Sequence, residues 1–218
     1  MTTAYTAGRT SLRSGIILLL FALVFTAMMA LVFELTRPTI AASTQAEKMK
    51  LIDEILSPGS YDNPLLEDFL ELGPTPELGL AGGGRLYRAR QAGQPVALVV
   101  ELTAPDGYAG RIDLVAAIRV DGQVSGVRVV SHKETPGLGD YIDPRKDKDR
   151  QRPWITRFND LSLAGVGAGG WKLKKDGGPF DYHVGATISA RAVTNAVGRA
   201  LAYVAGQGDA LYATPTPP

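Results

Sequence analysis

Two short stretches of the chain combine residue types and spacings that could do chemistry. The first, DYHVGATISA at residues 181–190, passes through two small residues, Gly185 and Ala186, to Thr187, where an amphipathic helix is predicted to begin. The N–H groups and dipole of a first helical turn favour an anion, and the small residues leave room for a bulky phosphorylated ligand. Alternatively, Thr187 is an ordinary N-cap, although Ala190 stands where a capping box would have Glu or Gln.

The second stretch, SHKETPGLGD at residues 131–140, directly follows a predicted strand. Pro136, Gly137 and Gly139 predict a tight turn, because proline presets φ and glycine adopts positive φ at no steric cost. Glycines also allow the backbone to approach a flat ligand closely. The alternative for this stretch is a turn that merely ends a strand.

The composition of the 218 residues excludes several kinds of site. The chain has no cysteine, so disulfides, thiolate zinc sites, iron–sulfur ligation and cysteine nucleophiles are ruled out. The two histidines, His132 and His183, are too few for a histidine-rich metal site, and both are interpreted as structural. With a formal net charge of +1 and no basic motif, no nucleic-acid partner is expected. We expect neither a metal ion nor a catalytic residue.

An uncharged stretch, GIILLLFALVFTAMMALVF at residues 15–33, is long enough to cross a bilayer as a helix. The alternative is a cleaved signal peptide, because TIAAS further along resembles a small-residue cleavage site, but signal peptides usually have shorter apolar segments. Arg9 and Arg13 make the leading flank the more positive one. The amino terminus is therefore predicted to stay in the cytoplasm and the main domain to lie in the periplasm.

The remainder of the chain has the patterns of an antiparallel sheet with flanking helices. Asp121-Gly122 stands between two β-rich runs and predicts a hairpin. We predict helices at 39–56, stopped by Pro58 and Gly59, from Trp154, and at 188–204, and strands at 85–90, 96–103, 112–120, 124–131 and 171–174. The fold class is α+β, with one amino-terminal transmembrane helix before a single domain. The predicted organisation is a cytoplasmic segment at 1–14, a transmembrane helix at 15–35, a periplasmic domain at 36–210 and a disordered tail at 211–218.

Taken in order, HKETPGLGD after a strand and DYHVGATIS before the last helix resemble the signature of the FMN-binding domain. This domain is found in the G subunit of the Rnf electron-transport complex and in the C subunit of the sodium-pumping NADH:quinone reductase. The residues that match the motif are Asp181, Gly185, Ala186, Thr187 and Ser189. Val184 departs from it, since Ser or Thr is common at that place. SYDNPL at 60–65 and the modest chain length are similar to the Rnf protein.

The resemblance implies one FMN, joined through its phosphate to the Thr187 hydroxyl as a phosphoester by a dedicated flavin transferase. The cofactor-binding residues that it implies at the helix start are Gly185, Ala186 and Ser189, and those beside the flavin ring are Glu134, Thr135, Gly137 and Leu138. Trp171 and Lys172 are further candidates near the ring.

The function implied by the resemblance is that of an electron-relay subunit in the inner membrane. It would belong to an Rnf complex that couples electron transfer between ferredoxin and NAD to ion translocation, with the other Rnf subunits as partners. Two alternatives remain. One is the C subunit of the sodium-pumping reductase, and the other is a membrane-anchored sensory or binding domain without covalent flavin, in which Thr187 only caps a helix.

Overall fold

The computed structural model of the chain describes residues 3–57 and 59–213. Its first element, helix α1 (Thr3–Asp53), contains Pro38. The prediction of a separate helix at 39–56 was therefore wrong, because α1 runs through Pro38 to Asp53. The helix continues past Pro38 with the loss of the one hydrogen bond that a proline cannot donate. The predicted helix stop at Pro58 lies outside the described residues.

The apolar stretch of α1 is exposed in this structure. The helix is long and apolar enough to cross a membrane, and no part of its most apolar segment is buried within the protein. Large side chains such as Leu18, Leu19 and Phe21 are more than half exposed. Exposed apolar surface on this scale is costly in water, so the segment is suited to a lipid environment.

The domain is built on one five-stranded antiparallel sheet whose strands lie in chain order. The strands are β1 (Phe69–Leu72), β2 (Gly84–Gln91), β3 (Gln94–Ala104), β4 (Ile112–Arg119) and β5 (Val124–Ser131). The four longer strands and the hairpin at Asp121-Gly122 confirm the sequence predictions. Strand β1 was missed, because its four residues carry too little alternation to be recognised.

The predicted strand at 171–174 is wrong. In that stretch Leu173 makes only an isolated bridge to Phe180, and the chain turns at once into a short 3-10 helix, Lys174–Asp176. The glycines on both sides explain the result, since glycine-rich segments favour turns over extended ladders.

Both faces of the sheet are buried, and neighbouring residues of a strand point to opposite faces. On β3, Leu98 and Val100 pack into the larger core beneath the last long helix, whereas Ala97 and Val99 belong to a smaller core on the other face. The smaller core is closed by the end of α1 and the turn after it, through Leu51, Ile52, Ile55 and Leu56. Period-two alternation with both faces covered explains why β3 and β4 read as continuous apolar runs.

The remaining helices lie in the second half of the chain. They are α2 (Leu163–Val166), α3 (Thr187–Gln207) and α4 (Ala210–Ala213), together with 3-10 helices at Pro76–Leu78, Gly139–Ile142, Trp154–Phe158 and Lys174–Asp176. The predicted helix at 188–204 is confirmed and is slightly longer. The predicted tail at 211–218 begins inside α4, where Leu211 is buried, so its first three residues are ordered. The rest of that tail, 214–218, lies outside the described residues.

Candidate functional site

The two stretches with candidate chemistry meet at one cavity of about 250 Å³. Three segments form its walls: the loop between β3 and β4, the turn that follows β5, and the start of α3. The lining residues are Tyr108, Glu134, Thr135, Leu138, Gly139, Gly185, Ala186, Ile188 and Ser189. Six of the eight residues predicted to contact a cofactor are in this set. Thr187 does not line the cavity itself, but both of its neighbours in the chain do.

The turn after β5 is held by its own backbone. The N–H groups of Leu138 and Gly139 each donate to the carbonyl oxygen of Thr135, at 3.1 Å. Gly137 has a φ of +75°, and its N–H donates to Asp140 Oδ1 at 2.9 Å. Gly137 does not line the cavity, contrary to its predicted contact. Its left-handed backbone instead makes the turn that presents the residues on either side.

Helix α3 begins at Thr187 without a side-chain cap. The N-cap residue is Ala186, whose side chain makes no cap hydrogen bond to the first turn. The interpretation of Thr187 as an N-cap is therefore wrong. In the part of the chain that the structure describes, the Thr187 hydroxyl has no recorded hydrogen-bond partner. Uncapped N–H groups and the helix dipole together make this end of α3 favourable for an anion.

Glu134 links the walls of the cavity. Its carboxylate accepts a short hydrogen bond from the Ser189 hydroxyl of α3 and a second one, at 3.1 Å, from the N–H of Ala109. Glu134 is 3% exposed and Ser189 1% exposed. Both residues were predicted to contact the cofactor, and in this structure their side chains are hydrogen-bonded to each other.

The approach to α3 is anchored at Asp181, the first residue of the motif. Its carboxylate forms ion pairs with Lys174 and Arg157, each at 2.6 Å, and its carbonyl oxygen accepts from Trp154 Nε1. The hydrogen bond from Lys174, with the charge of Arg157 beside it, holds the pKa of Asp181 below its ordinary value. Asp181 does not line the cavity, so it fixes the incoming loop.

Tyr141 holds the end of the same loop. Its hydroxyl donates to the Ala186 carbonyl oxygen at 3.3 Å and accepts from the N–H of His183 at 3.2 Å, and the His183 ring stacks on it at 3.9 Å. Burial raises the pKa of Tyr141, so the phenol stays protonated and able to donate. Neither His183 nor His132 lines the cavity. His132 Nδ1 accepts from the N–H of Glu134.

Sequence reasoning missed three of the lining residues. Gly139 and Ile188 lie inside the motifs, so the motifs themselves were the signal for them. Tyr108 lies in a Gly-rich turn between two strands and gave no chemical signal of its own. Trp171, a further candidate, is 5% exposed and packs against Phe158 and Phe180, and neither it nor Lys172 lines the cavity.

Comparisons with known proteins match both ends of the chain. The FMN-binding domain family matches residues 107–202, and the RnfG N-terminal region matches residues 1–55. The G subunit of the ion-translocating oxidoreductase complex from Pseudoalteromonas atlantica is 42% identical, over 92% of this chain and 91% of that protein. Proteins of the same name from Pseudomonas aeruginosa and Vibrio cholerae are 42% and 39% identical, each over 94% of this chain, and over 94% and 95% of their own length.

The chain belongs to the family of G subunits of ion-translocating oxidoreductase complexes.

This family assignment confirms the resemblance to the Rnf proteins and removes the support for the C-subunit alternative. The two matched regions cover different elements of the structure. The RnfG N-terminal region covers α1, and every residue that lines the cavity falls within the FMN-binding domain at 107–202.

The cavity of this Rnf-family chain fits part of an FMN. At about 250 Å³ it lies just below the usual ~300–1,000 Å³ of pockets that enclose a whole small molecule, so it would hold a flavin incompletely. Its rim is apolar, because three large hydrophobic side chains are exposed there: Tyr108 (68%), Leu138 (55%) and Ile188 (43%). An apolar rim suits a flat aromatic ring, and the uncapped start of α3 suits a phosphate.

Proposed function

We propose that this protein is the electron-relay subunit of a membrane-bound Rnf complex and carries one FMN, covalently attached to Thr187. The complex would couple electron transfer between ferredoxin and NAD to ion translocation. One observation carries the proposal. The turn after β5 and the start of α3 wall a single cavity, and Thr187 stands in the chain between two of its lining residues, with a hydroxyl that has no hydrogen-bond partner among the described residues.

The proposed linkage is a phosphoester made by a flavin transferase. As Thr187 Oγ1 bonds to the phosphorus of FMN, one existing P–O bond of the phosphate breaks. The departing oxygen group and the hydroxyl proton leave, so the net addition to the chain is one FMN minus one water. The remaining phosphate charge would be balanced by the N–H groups of the first turn of α3. Gly185 and Ala186 leave space there, because Gly185 has φ +89° and a Cβ added to it would meet nothing within 4 Å.

When bound, FMN supplies the redox chemistry by exchanging electrons with cofactors in neighbouring subunits. The residues of this chain hold the flavin and leave it accessible. Leu138 and Ile188 form an exposed apolar rim, and a cavity of about 250 Å³ would leave part of a bound flavin accessible. A covalent tether keeps the flavin at high effective concentration in this site, whatever the affinity of its redox states.

The membrane location and partners complete the proposal. Helix α1 would span the inner membrane once, with Arg9 and Arg13 on the cytoplasmic side and the FMN-binding domain in the periplasm. The other subunits of the Rnf complex would be its electron donors and acceptors. The flavin transferase would be a partner during maturation only.

Replacement of Thr187 tests the proposed linkage. The full chain produced together with a flavin transferase should fluoresce as a denatured band in a gel, and the peptide with Thr187 should gain the mass of one FMN minus water. Thr187→Ala should lose both signals, whereas Thr187→Ser should keep them if the transferase accepts either hydroxyl. Since Thr187 caps nothing, its removal should change the free energy of unfolding by less than about 0.5 kcal/mol.

A matched control is the second threonine of the site. Thr135 lines the cavity but is not at the helix start, so Thr135→Ala should keep the fluorescent band and the added mass. Colourless wild-type protein from cells that contain the transferase would contradict the proposed function. So would a flavin peptide that maps to any residue other than Thr187.

A further inference from the structure

The carboxylate of Glu134 is the point at which the three walls of the cavity meet. The residue belongs to the turn after β5, its Oε2 accepts from Ser189 of α3, and its Oε1 accepts from Ala109 in the β3–β4 loop. Ala109 directly follows Tyr108, the rim residue of that loop. The partners are 55 and 25 residues away in the chain. One side chain therefore fixes two segments that have no local reason to be adjacent.

Two glycines lie close to this carboxylate. A Cβ placed on Gly107 would lie 2.9 Å from Glu134 Oε1, and one on Gly139 would lie 2.9 Å from Oε2. Contacts below 3.0 Å cannot be tolerated without displacement. Glycines at these two positions thus leave free the space that the Glu134 carboxylate occupies.

The charge of Glu134 is not neutralised by a cation. Within the described residues no Lys, Arg or His forms an ion pair with it. The two groups that donate hydrogen bonds to its carboxylate, a hydroxyl and a backbone N–H, are both uncharged. A buried carboxylate is only weakly screened, so its field acts on whatever occupies the cavity that it lines. A negative charge disfavours the arrival of an electron nearby.

We propose that Glu134 is a positioning residue with a redox function: its carboxylate holds the Tyr108 loop and α3 in place around the flavin, and its negative charge makes that flavin harder to reduce. This inference rests on the proposed function, because it takes the occupant of the cavity to be the FMN on Thr187. It assigns Glu134 a role distinct from contact with the ring.

Two substitutions separate position from charge. In Glu134→Gln the amide oxygen can still accept from the N–H of Ala109 and the amide nitrogen can donate to Ser189 Oγ, so both links survive without the charge. In Glu134→Ala both links and the charge are lost. Glu71→Gln is the matched control, since Glu71 is a surface carboxylate on edge strand β1, 61% exposed and paired with Arg85.

The charge is tested on the flavin-loaded full chain by redox titration. Glu134→Gln should carry as much FMN as the wild type and should shift the midpoint potential of the flavin to more positive values. Glu71→Gln should leave that potential unchanged. A potential in Glu134→Gln equal to that of the wild type would overturn the electrostatic part of the proposal.

The positioning is tested without flavin, in the Thr187→Ala chain, by hydrogen exchange. Adding Glu134→Ala should speed exchange of the Ala109 amide, whereas adding Glu134→Gln should not. Ser189→Ala removes only the link between Glu134 and α3, so the Ala109 amide should stay protected. In the flavin-loaded chain the same variant should raise the fluorescence yield of the flavin. If Glu134→Ala fails to fold, Ser189→Ala still tests the link to α3 through this fluorescence.

The outcomes distinguish this inference from the proposed function. If the wild type carries no FMN on Thr187, the proposed function fails, and the exchange measurement still reports on the links made by Glu134. If FMN is present on Thr187 but the Ala109 amide stays protected in Glu134→Ala, the positioning role is overturned while the proposed function stands.

Discussion

At Gly139 the turn after β5 and helix α3 are too close together for any side chain. A Cβ at this position would lie 2.6 Å from Ser189 Oγ and 2.9 Å from Glu134 Oε2. The residue does not need positive φ, so its requirement for glycine is one of space alone. This differs from Gly137, two residues earlier, where the left-handed backbone is the reason.

Gly139→Ala should therefore destabilise the protein and disturb the cavity. The added methyl group must displace the hydrogen-bonded pair of Ser189 and Glu134, and overpacking of this kind costs about 1–3 kcal/mol. Chemical denaturation should show the loss as a lower midpoint at an unchanged slope. Gly169→Ala is the control, because a Cβ there meets nothing within 4 Å, and it should change stability by less than about 0.5 kcal/mol. Equal stability of the two variants would contradict this packing.

At the scale of elements, α3 lines the cavity with its first turn and packs into the larger core along its length. Its buried side is made largely of small residues, among them Ala190, Ala196 and Ala200, which let the helix lie close to the sheet. At Gly198 the helix lies against Trp171, since a Cβ there would be 2.6 Å from Cβ and 2.8 Å from Cγ of Trp171. The buried Trp171 thus packs directly on the helix that begins at Thr187.

A pair of glycine substitutions within α3 measures this contact. Gly198→Ala improves helix propensity by up to about 1 kcal/mol, but it overpacks a buried tryptophan at a cost of about 1–3 kcal/mol, so the net effect should be destabilising. Gly206→Ala lies in the same helix with nothing within 4 Å, and it should stabilise the protein by a few tenths to about 1 kcal/mol. Denaturation midpoints should move in opposite directions. If Gly198→Ala stabilised the protein instead, the prediction would be wrong, and Trp171 would have to move to make room for the added methyl group.

At the scale of the whole molecule, the chain divides into two units. Residues up to Glu47 form one of them and residues from Lys48 onward form the other. The first contains the exposed apolar stretch of α1, and the second contains both cores and the cavity. The two units thus suit two environments, lipid for the first and water for the second.

The proposed orientation can be tested directly because the chain has no cysteine of its own. Ser11→Cys and Lys148→Cys each place one thiol at an exposed position, before the apolar stretch and in the domain. With a membrane-impermeant maleimide applied to spheroplasts, Lys148→Cys should be labelled at once and Ser11→Cys only after lysis. The reverse pattern would place the FMN-binding domain in the cytoplasm.

Local patterns in the amino-acid sequence were sufficient for the fold class and four strands, and the resemblance of two motifs supplied most of the residues that line the cavity. Alternation along β3 and β4 and the Asp121-Gly122 turn depend only on neighbours in the chain, so they can be read without a structure. The motif around Thr187 likewise identified the family before any geometry was known. Strand β1 could not be predicted from the sequence, because a four-residue segment becomes a strand only when the edge of β2 is there to pair with it.

The packed structure was needed for every contact between residues distant in the chain. The state of the Thr187 hydroxyl depends on α3 starting one residue after Ala186, and helix boundaries are not readable to a single residue. The links of Glu134 to Ser189 and Ala109, and the burial of Trp171 against Gly198, join segments far apart in sequence. Such contacts are set by how the sheet and α3 pack, and a one-dimensional pattern contains no information on that distance.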